Sequence, residues 1–214
     1  MGLYKRFFLP RLIDVSMRNK DAAEVRSRLI PAARGAVLEL GVGSALNLTY
    51  YTTAVTYLVA VDPSTELLDM ARPKAARAPF PVELLNHSAE RISLPERAVD
   101  TAVITWSLCS IPDAPAALRE MKRVLKPTGT LIFAEHGLSP DPRVQRWQNR
   151  LNPVWRRVAG GCNLNRKIDD LIRAAGFSIE KLRTEYLPGP RPMTYTYEGF
   201  ARPTPSLDGG PALR

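Results

Sequence analysis

The chain has little of what metal-bound and disulfide-stapled proteins are built from. Among 214 residues there are two cysteines, Cys109 and Cys162, and two histidines, His87 and His136. The cysteines form no CxxC pair, so neither a disulfide framework nor a zinc site of the usual spacing is expected, and no metal is assigned. Long apolar runs are also missing. None approaches the roughly 18 uncharged residues of a membrane-spanning helix. The first twenty residues are interrupted by Arg11 and Asp14 and carry no small-residue cleavage site, which argues against a secretory leader. The expectation is a cytoplasmic protein with free thiols.

What is present is an ordinary globular composition with an uneven charge. Hydrophobic residues make up 45% and charged residues 24%, which suits one domain with a full-sized core. The net charge of +9 is not spread evenly. Residues 1–34 hold 8 basic and 3 acidic side chains, residues 35–141 hold 9 and 12, and residues 142–191 hold 11 and 4. Two basic segments therefore bracket a slightly acidic middle. That pattern suits an anionic membrane surface or a phosphate-bearing substrate, and it also suits plain solvation.

Residues 3–30 read as helical with a break at Pro10, Phe8, Leu12 and Val15 sharing one face. Because Lys5, Arg6 and Arg11 flank Phe7 and Phe8, this helix can lie on a membrane surface or act as a lid over a pocket; the lid is the preferred reading. Strands and helices then alternate. Strands are expected at Ala36–Leu40, Tyr57–Val61, Val82–Leu85, Asp100–Trp106 and Thr130–Glu135. Helices are expected near Leu46–Tyr51, Thr65–Arg77 and Ala114–Leu125. This is the pattern of a doubly wound α/β sheet, mostly parallel and Rossmann-like. Beyond it lie an amphipathic helix over 141–159 interrupted by Pro153, a helix at Asn165–Ala175, and two last strands, Phe177–Arg183 and Met193–Ala201. The expected organisation is an N-terminal helical lid (1–34), one domain (35–201) with a helical insertion (142–165) on the substrate side, and a disordered tail (202–214).

The stretch Ala36–Asn47 organises the chemistry. An apolar strand carrying Glu39 breaks into a turn with Gly41 and Gly43, where backbone can approach a ligand with no Cβ in the way. Position 46 is Leu, so the full dinucleotide fingerprint GxGxxG is missing. Asp62 ends the next strand, where a carboxylate can accept hydrogen bonds from a ribose diol. By itself an Asp before Pro63 is as readily a turn or cap residue. His136, after Glu135 at the end of the fifth strand, can serve as a general base or as a loop histidine bonded to backbone. His87, Cys109 and Cys162 read as structural.

The runs VLELGVGSALN, VAVDPS, SAERISLPERAVDTAVITWSLCSIPD and REMKRVLKPTGTLIFAEH together resemble the class I S-adenosylmethionine-dependent methyltransferases over residues 35–136. The tail, with Trp147, Trp155 and Gly161-Cys162-Asn163-Leu164, is similar to a narrower branch. That branch holds thiol methyltransferases and bacterial proteins labelled phosphatidylethanolamine N-methyltransferases. The resemblance implies a seven-stranded sheet with an antiparallel last strand and S-adenosyl-L-methionine as cofactor. It implies that Glu39, Gly41 and Gly43 line the amino-acid end of that cofactor and that Asp62 binds its ribose. It sets Pro63, Ser64, Ser88, Ala89 and Glu90 around the adenine, and Trp106 and Ser107 where cofactor and acceptor meet. Ser88 stands where an Asp is usual, and Ala45 where a third glycine is usual. The implied reaction is methyl transfer to a small-molecule or lipid acceptor, thiol or amine, with peripheral contact to an anionic membrane surface left open. The competing readings are a nucleic-acid methyltransferase, disfavoured because Trp106-Ser107-Leu108-Cys109 replaces a base-methylating motif; a nicotinamide oxidoreductase; and a non-catalytic S-adenosylmethionine-binding protein.

Overall fold

A computed structural model describes residues 8–205. Lys5, Arg6, Phe7 and residues 206–214 of the expected disordered tail lie outside the described residues, whereas Arg202 and Pro203, expected to open that tail, pair in the last strand with Ser178 and Phe177. In chain order the elements are α1 (Leu9–Ser16), α2 (Lys20–Leu29), β1 (Gly35–Leu40), β2 (Val55–Val61), α3 (Thr65–Ala75), β3 (Val82–Leu85), β4 (Val99–Thr105), α4 (Ala114–Val124), β5 (Leu125–His136), α5 (Pro142–Val158), α6 (Ile168–Ala174), β6 (Phe177–Tyr186), α7 (Arg191–Thr194) and β7 (Tyr195–Pro203). The seven strands form one sheet in the order β3-β2-β1-β4-β5-β7-β6. All neighbours pair in parallel except β7, which runs antiparallel to β5 and to β6.

The near-continuous apolar strands follow from burial on both faces. Leu38, Leu40, Ile104, Leu131 and Phe133 pack with Leu118 and Met121 of α4 and Ile172 of α6. The alternate residues Val37, Ala60, Val103 and Ile132 pack on the other face, with Val25 and Leu29 of α2 and Leu68 of α3. The period of two along each strand thus sorts side chains between two helical layers. Because β1 pairs with both β2 and β4, the winding direction reverses between β1 and β4. A crevice opens at the carboxyl ends of those strands, where ligands bind in sheets of this kind.

Four expectations are revised. The glycine turn leads not into a helix at Leu46–Tyr51 but into a single 3-10 turn, Leu48–Tyr50. The break in the N-terminal helix falls after Ser16, not at Pro10. Pro10 sits in the first turn of α1, where its missing N–H has no helical partner to lose, and Asn19 starts α2 by accepting the Ala22 N–H at 2.8 Å. α5 runs through Pro153 without interruption; Asp141 caps it through the Arg143 N–H at 2.8 Å. Finally, Phe8, Leu12 and Val15 do not face inward. They are 67%, 58% and 68% exposed, while Leu9, Pro10 and Asp14 are the buried residues of α1.

β5 starts earlier than the expected Thr130: Lys126, Pro127, Thr128 and Gly129 belong to it as an irregularity. Leu125 pairs with Val99 and Thr130 with Thr101, so the residues between them are displaced from the ladder.

Candidate active site

A cavity of about 650 Å3 occupies the crevice. Every residue that the sequence placed around a cofactor lines it: Glu39, Gly41, Gly43, Asp62, Pro63, Ser64, Ser88, Ala89, Glu90, Trp106 and Ser107. These residues come from the ends of four different strands and the loops that follow them, and the parallel sheet brings them to one edge. His136 is not among the lining residues.

The two glycines of the β1 loop have different jobs. Gly41, at φ +69°, lies so close to Ser107 that a Cβ there would sit 1.9 Å from Ser107 Oγ. Ser107 Oγ in turn donates to the Gly41 carbonyl at 3.1 Å. Gly41 therefore joins the β1 loop to the β4 loop. Gly43, at φ +54°, would direct a Cβ into space with nothing within 4 Å, and it is the position that leaves room for a ligand. Ala45 adopts φ +60° despite its methyl group, a conformation that costs an L-residue about 1–2 kcal/mol.

Asp62 shapes the adjoining loop. Its carboxylate accepts the Gly43 N–H at 2.9 Å and the Ser64 N–H at 2.8 Å. Burial raises its pKa, and those two backbone bonds oppose the rise. Ser64 caps α3 through the Leu67 N–H at 3.3 Å. Glu39 is fully buried, with Asn47 Nδ2 and Tyr51 Oη each donating to it at 2.8 Å. Desolvation lifts the Glu39 carboxyl to about 7 against the pull of those two hydrogen bonds and of Arg26.

The sequence reading missed much of the wall. Leu9, Ile13 and Asp14 of α1 and Met17 just past it line the cavity, as do Arg26, Asn47, Arg156, Gly160 and Gly161. Arg26 is buried and ties several parts together. Its Nε donates to Asn47 Oδ1 at 3.0 Å, its Nη1 donates to the Met17 carbonyl at 2.8 Å, and its guanidinium lies 4.9 Å from the Trp106 ring centre. Trp106 is held at φ +48°. Asp14 hydrogen-bonds Ser44 of the glycine loop. None of these long-range partners leaves a local pattern in the sequence.

At the end of β5, Glu135 is also fully buried. It accepts the N–H groups of Ser107 at 2.8 Å, Leu108 at 2.9 Å and Cys109 at 3.3 Å. His136 points elsewhere: its Nε2 lies 2.9 Å from Cys162 Sγ. Cys109, His136 and Cys162 together offer three donor atoms, all within 4.8 Å of one another. No motif announces this cluster, since the three residues stand far apart in the chain and share no ligand spacing.

Open space at Gly43, two buried strand-end carboxylates, and apolar walls from Leu9, Ile13 and Leu67 suit a ligand with a polar amino-acid end, a diol and a flat base. S-adenosylmethionine has that form.

The matches to known proteins agree. Residues 38–133 match the family described as a methyltransferase domain. The chain is 30% identical over 158 residues to the thiol S-methyltransferase TMT1B of Rattus norvegicus, covering 72% of this chain and 64% of that protein. It is 32% identical over 126 residues to the phosphatidylethanolamine N-methyltransferase of Cereibacter sphaeroides, covering 58% and 59%. Among solved structures, an S-adenosylmethionine-dependent methyltransferase from Aquifex aeolicus superposes with a TM-score of 0.60 at 19% identity, covering 91% of this chain and 98% of that one. Residues 38–133 thus form a methyltransferase domain, in a fold shared with the S-adenosylmethionine-dependent enzyme of Aquifex aeolicus. The chain spans 64% of the length of the rat relative and 59% of the Cereibacter relative, less than two thirds of each.

Proposed function

We propose that this protein transfers the methyl group of S-adenosylmethionine to the sulfur of a small apolar thiol. The observation that carries this reading is one cavity in which buried carboxylates line one part and apolar side chains of α1 and the β4 loop line another. Asp62 would hold the ribose hydroxyls, Glu39 would face the amino-acid end, and the Gly43 backbone would lie against the cofactor. The cofactor supplies a methyl group already activated on a sulfonium, so no covalent enzyme intermediate is needed. The protein's part is alignment and the exclusion of water, which can contribute about 7–11 kcal/mol. Leu9, Ile13, Ile111 and Pro112 supply the apolar wall for an acceptor. The rat relative's name supports sulfur as the acceptor atom. Labelled S-adenosylmethionine offered with small alkyl and aryl thiols, with phosphatidylethanolamine vesicles and with RNA tests the assignment. Methylation confined to the thiols is expected; methylation of lipid or RNA alone would overturn it.

A lipid amine is the second reading, favoured by an apolar surface beside the cavity. Trp147, Leu151, Val154 and Val158 form one exposed stripe of α5 at helical spacing. Arg143, Arg146, Arg150 and Arg157 flank the stripe and are exposed. α1 approaches the end of α5, where a Cβ at Gly160 would lie 3.3 Å from Leu9 Cδ2, and it carries exposed apolar residues of its own, Leu12 and Val15. Apolar residues rimmed by arginines suit an anionic lipid surface. No helix among the described residues is long and apolar enough to cross a membrane.

A further inference from the structure

We infer that Cys109, His136 and Cys162 form a binding site for a soft divalent metal ion, with Zn2+ as its natural occupant. The three residues come from three separate segments: the loop after β4, the end of β5, and the loop between α5 and α6. Their donor atoms nevertheless lie within 4.8 Å of one another. Two sulfurs and an imidazole nitrogen are a common donor set for zinc. With bond lengths of about 2.3 Å to sulfur and about 2.0 Å to nitrogen, tetrahedral ligands lie roughly 3.5–3.8 Å apart. The His136 Nε2 to Cys162 Sγ contact of 2.9 Å opens by a fraction of an ångström to reach that spacing.

The surroundings hold the donors in place, as the outer shell of a metal centre must. The Cys109 carbonyl accepts both the Asn163 backbone N–H at 2.9 Å and Asn163 Nδ2 at 2.8 Å, which stitches the two cysteine loops together. The Cys109 N–H is held by Glu135. Trp155 Nε1 donates to Cys162 Sγ at 3.2 Å, a contact that favours a sulfur carrying negative charge. Both thiols are free and buried. Ser110 and Gly161, the chain neighbours of the two cysteines, line the cavity, so the cluster borders it. Three protein ligands leave the fourth position open, as in catalytic rather than structural zinc sites. The inference does not rest on the thiol reading of the acceptor.

The test uses the full chain, purified under reducing conditions and stripped of metal with a chelator. Co2+ titration is expected to give one equivalent bound, a thiolate-to-cobalt charge-transfer band and the visible bands of four-coordinate cobalt, all abolished by added Zn2+. Cys109→Ser, Cys162→Ser and His136→Asn should each weaken Co2+ binding by more than about a hundredfold, while S-adenosylhomocysteine binding shows that each variant is folded. A small thiol added to the Co2+ form should intensify the charge-transfer band by entering the open position. A missing band, a band that survives either serine variant, or thiol counting that finds Cys109 and Cys162 joined as a disulfide in the reduced preparation would overturn the site. Indifference to added thiol would overturn the open position. Loss of S-adenosylhomocysteine binding by the wild type would count against the proposed function and not against the metal.

Discussion

The Glu135 carboxylate, at the end of β5, accepts the Ser107 N–H at 2.8 Å and so holds the loop that follows β4. The same carboxylate takes the next two N–H groups, Leu108 and Cys109. Replacing it with Ala would leave those buried donors unpaired, at about 1–3 kcal/mol each. Glu135→Ala is expected to lose at least about 3 kcal/mol of unfolding free energy, and Glu135→Gln less, because an amide oxygen can still accept. Chemical denaturation measures both. Equal losses in the two variants would mean that the carbonyl-type acceptor is not what matters.

Glu39 and Glu135 also make stability depend on pH. Burial is the first cause for each, lifting both carboxyls from an ordinary 4.5 to about 7. Between those values the folded chain holds protons that the unfolded chain has released. Their contribution to stability is therefore full below about 4.5 and falls as pH rises toward about 7, by up to about 1.4 kcal/mol per pH unit for each group. Asp100 and Glu120 are shifted down by their hydrogen bonds to Lys126 and Arg123, so their contributions change below this window. Unfolding free energies between pH 5 and 6.5 should decline, and Glu39→Gln and Glu135→Gln should each flatten the decline. A stability that rises across this interval would contradict the assignment.

Much of this arrangement is legible in the sequence because it is periodic or sits at strand ends. Val82–Leu85 appears as read, and β4 shifts by one residue, since apolar β-branched runs between turns leave few other choices. The residues expected around the cofactor converge because each stands at or after the end of a strand of a parallel sheet, and topology alone brings such positions together. The rest depends on docking. Nothing in Asp14, Arg26 or Asn47 announces that α1, α2 and the glycine loop will meet. The face of α1 is misread because Phe8, Leu12 and Val15 are its most apolar spacing, yet Leu9, Ile13 and Met17 meet the cavity. Cys162 lies 26 residues from His136, and no local rule joins them.

Substitutions at the two glycines are expected to separate cofactor binding from folding. Gly43→Ala adds a methyl group to open cavity at positive φ. It is expected to fold with a loss of about 1–2 kcal/mol and to weaken S-adenosylhomocysteine binding at least about tenfold, read by calorimetry. Gly41→Ala drives a Cβ into Ser107 and should destabilise the protein by several kcal/mol, as overpacked sites do. Adding Ser107→Gly should restore part of that stability. No recovery in the double variant would show that Ser107 is not the obstacle.

The exposed stripe of α5 gives a test of surface binding. Co-sedimentation with phosphatidylserine-rich vesicles should exceed that with neutral vesicles and should weaken at high salt. Trp147→Ser with Leu151→Ser should reduce binding to both kinds of vesicle, because it removes apolar area. Arg146→Gln with Arg150→Gln should reduce only the anionic preference. Equal binding of wild type to anionic and neutral vesicles would remove the arginines from the argument.

Arg26 offers a sharper test of how the helical cap is coupled to the glycine loop. Its guanidinium reaches Asn47 Oδ1, the Met17 carbonyl and the Trp106 ring at once, and Asn47 in turn donates to Glu39 and to Thr105 at 2.8 and 3.0 Å. A planar fork can bond in two directions while stacking; a lysine ammonium of similar reach cannot. Arg26→Ala should cost about 2–4 kcal/mol, since it leaves buried acceptors unpaired, and should weaken S-adenosylhomocysteine binding by freeing Asn47 and Trp106. Arg26→Lys keeps the charge and should recover less than half of either loss. If lysine restores both stability and affinity, charge alone suffices and the coupling through guanidinium geometry is wrong. If stability falls while affinity stays at the wild-type value, Arg26 holds α1 and α2 in place without shaping the cofactor loop.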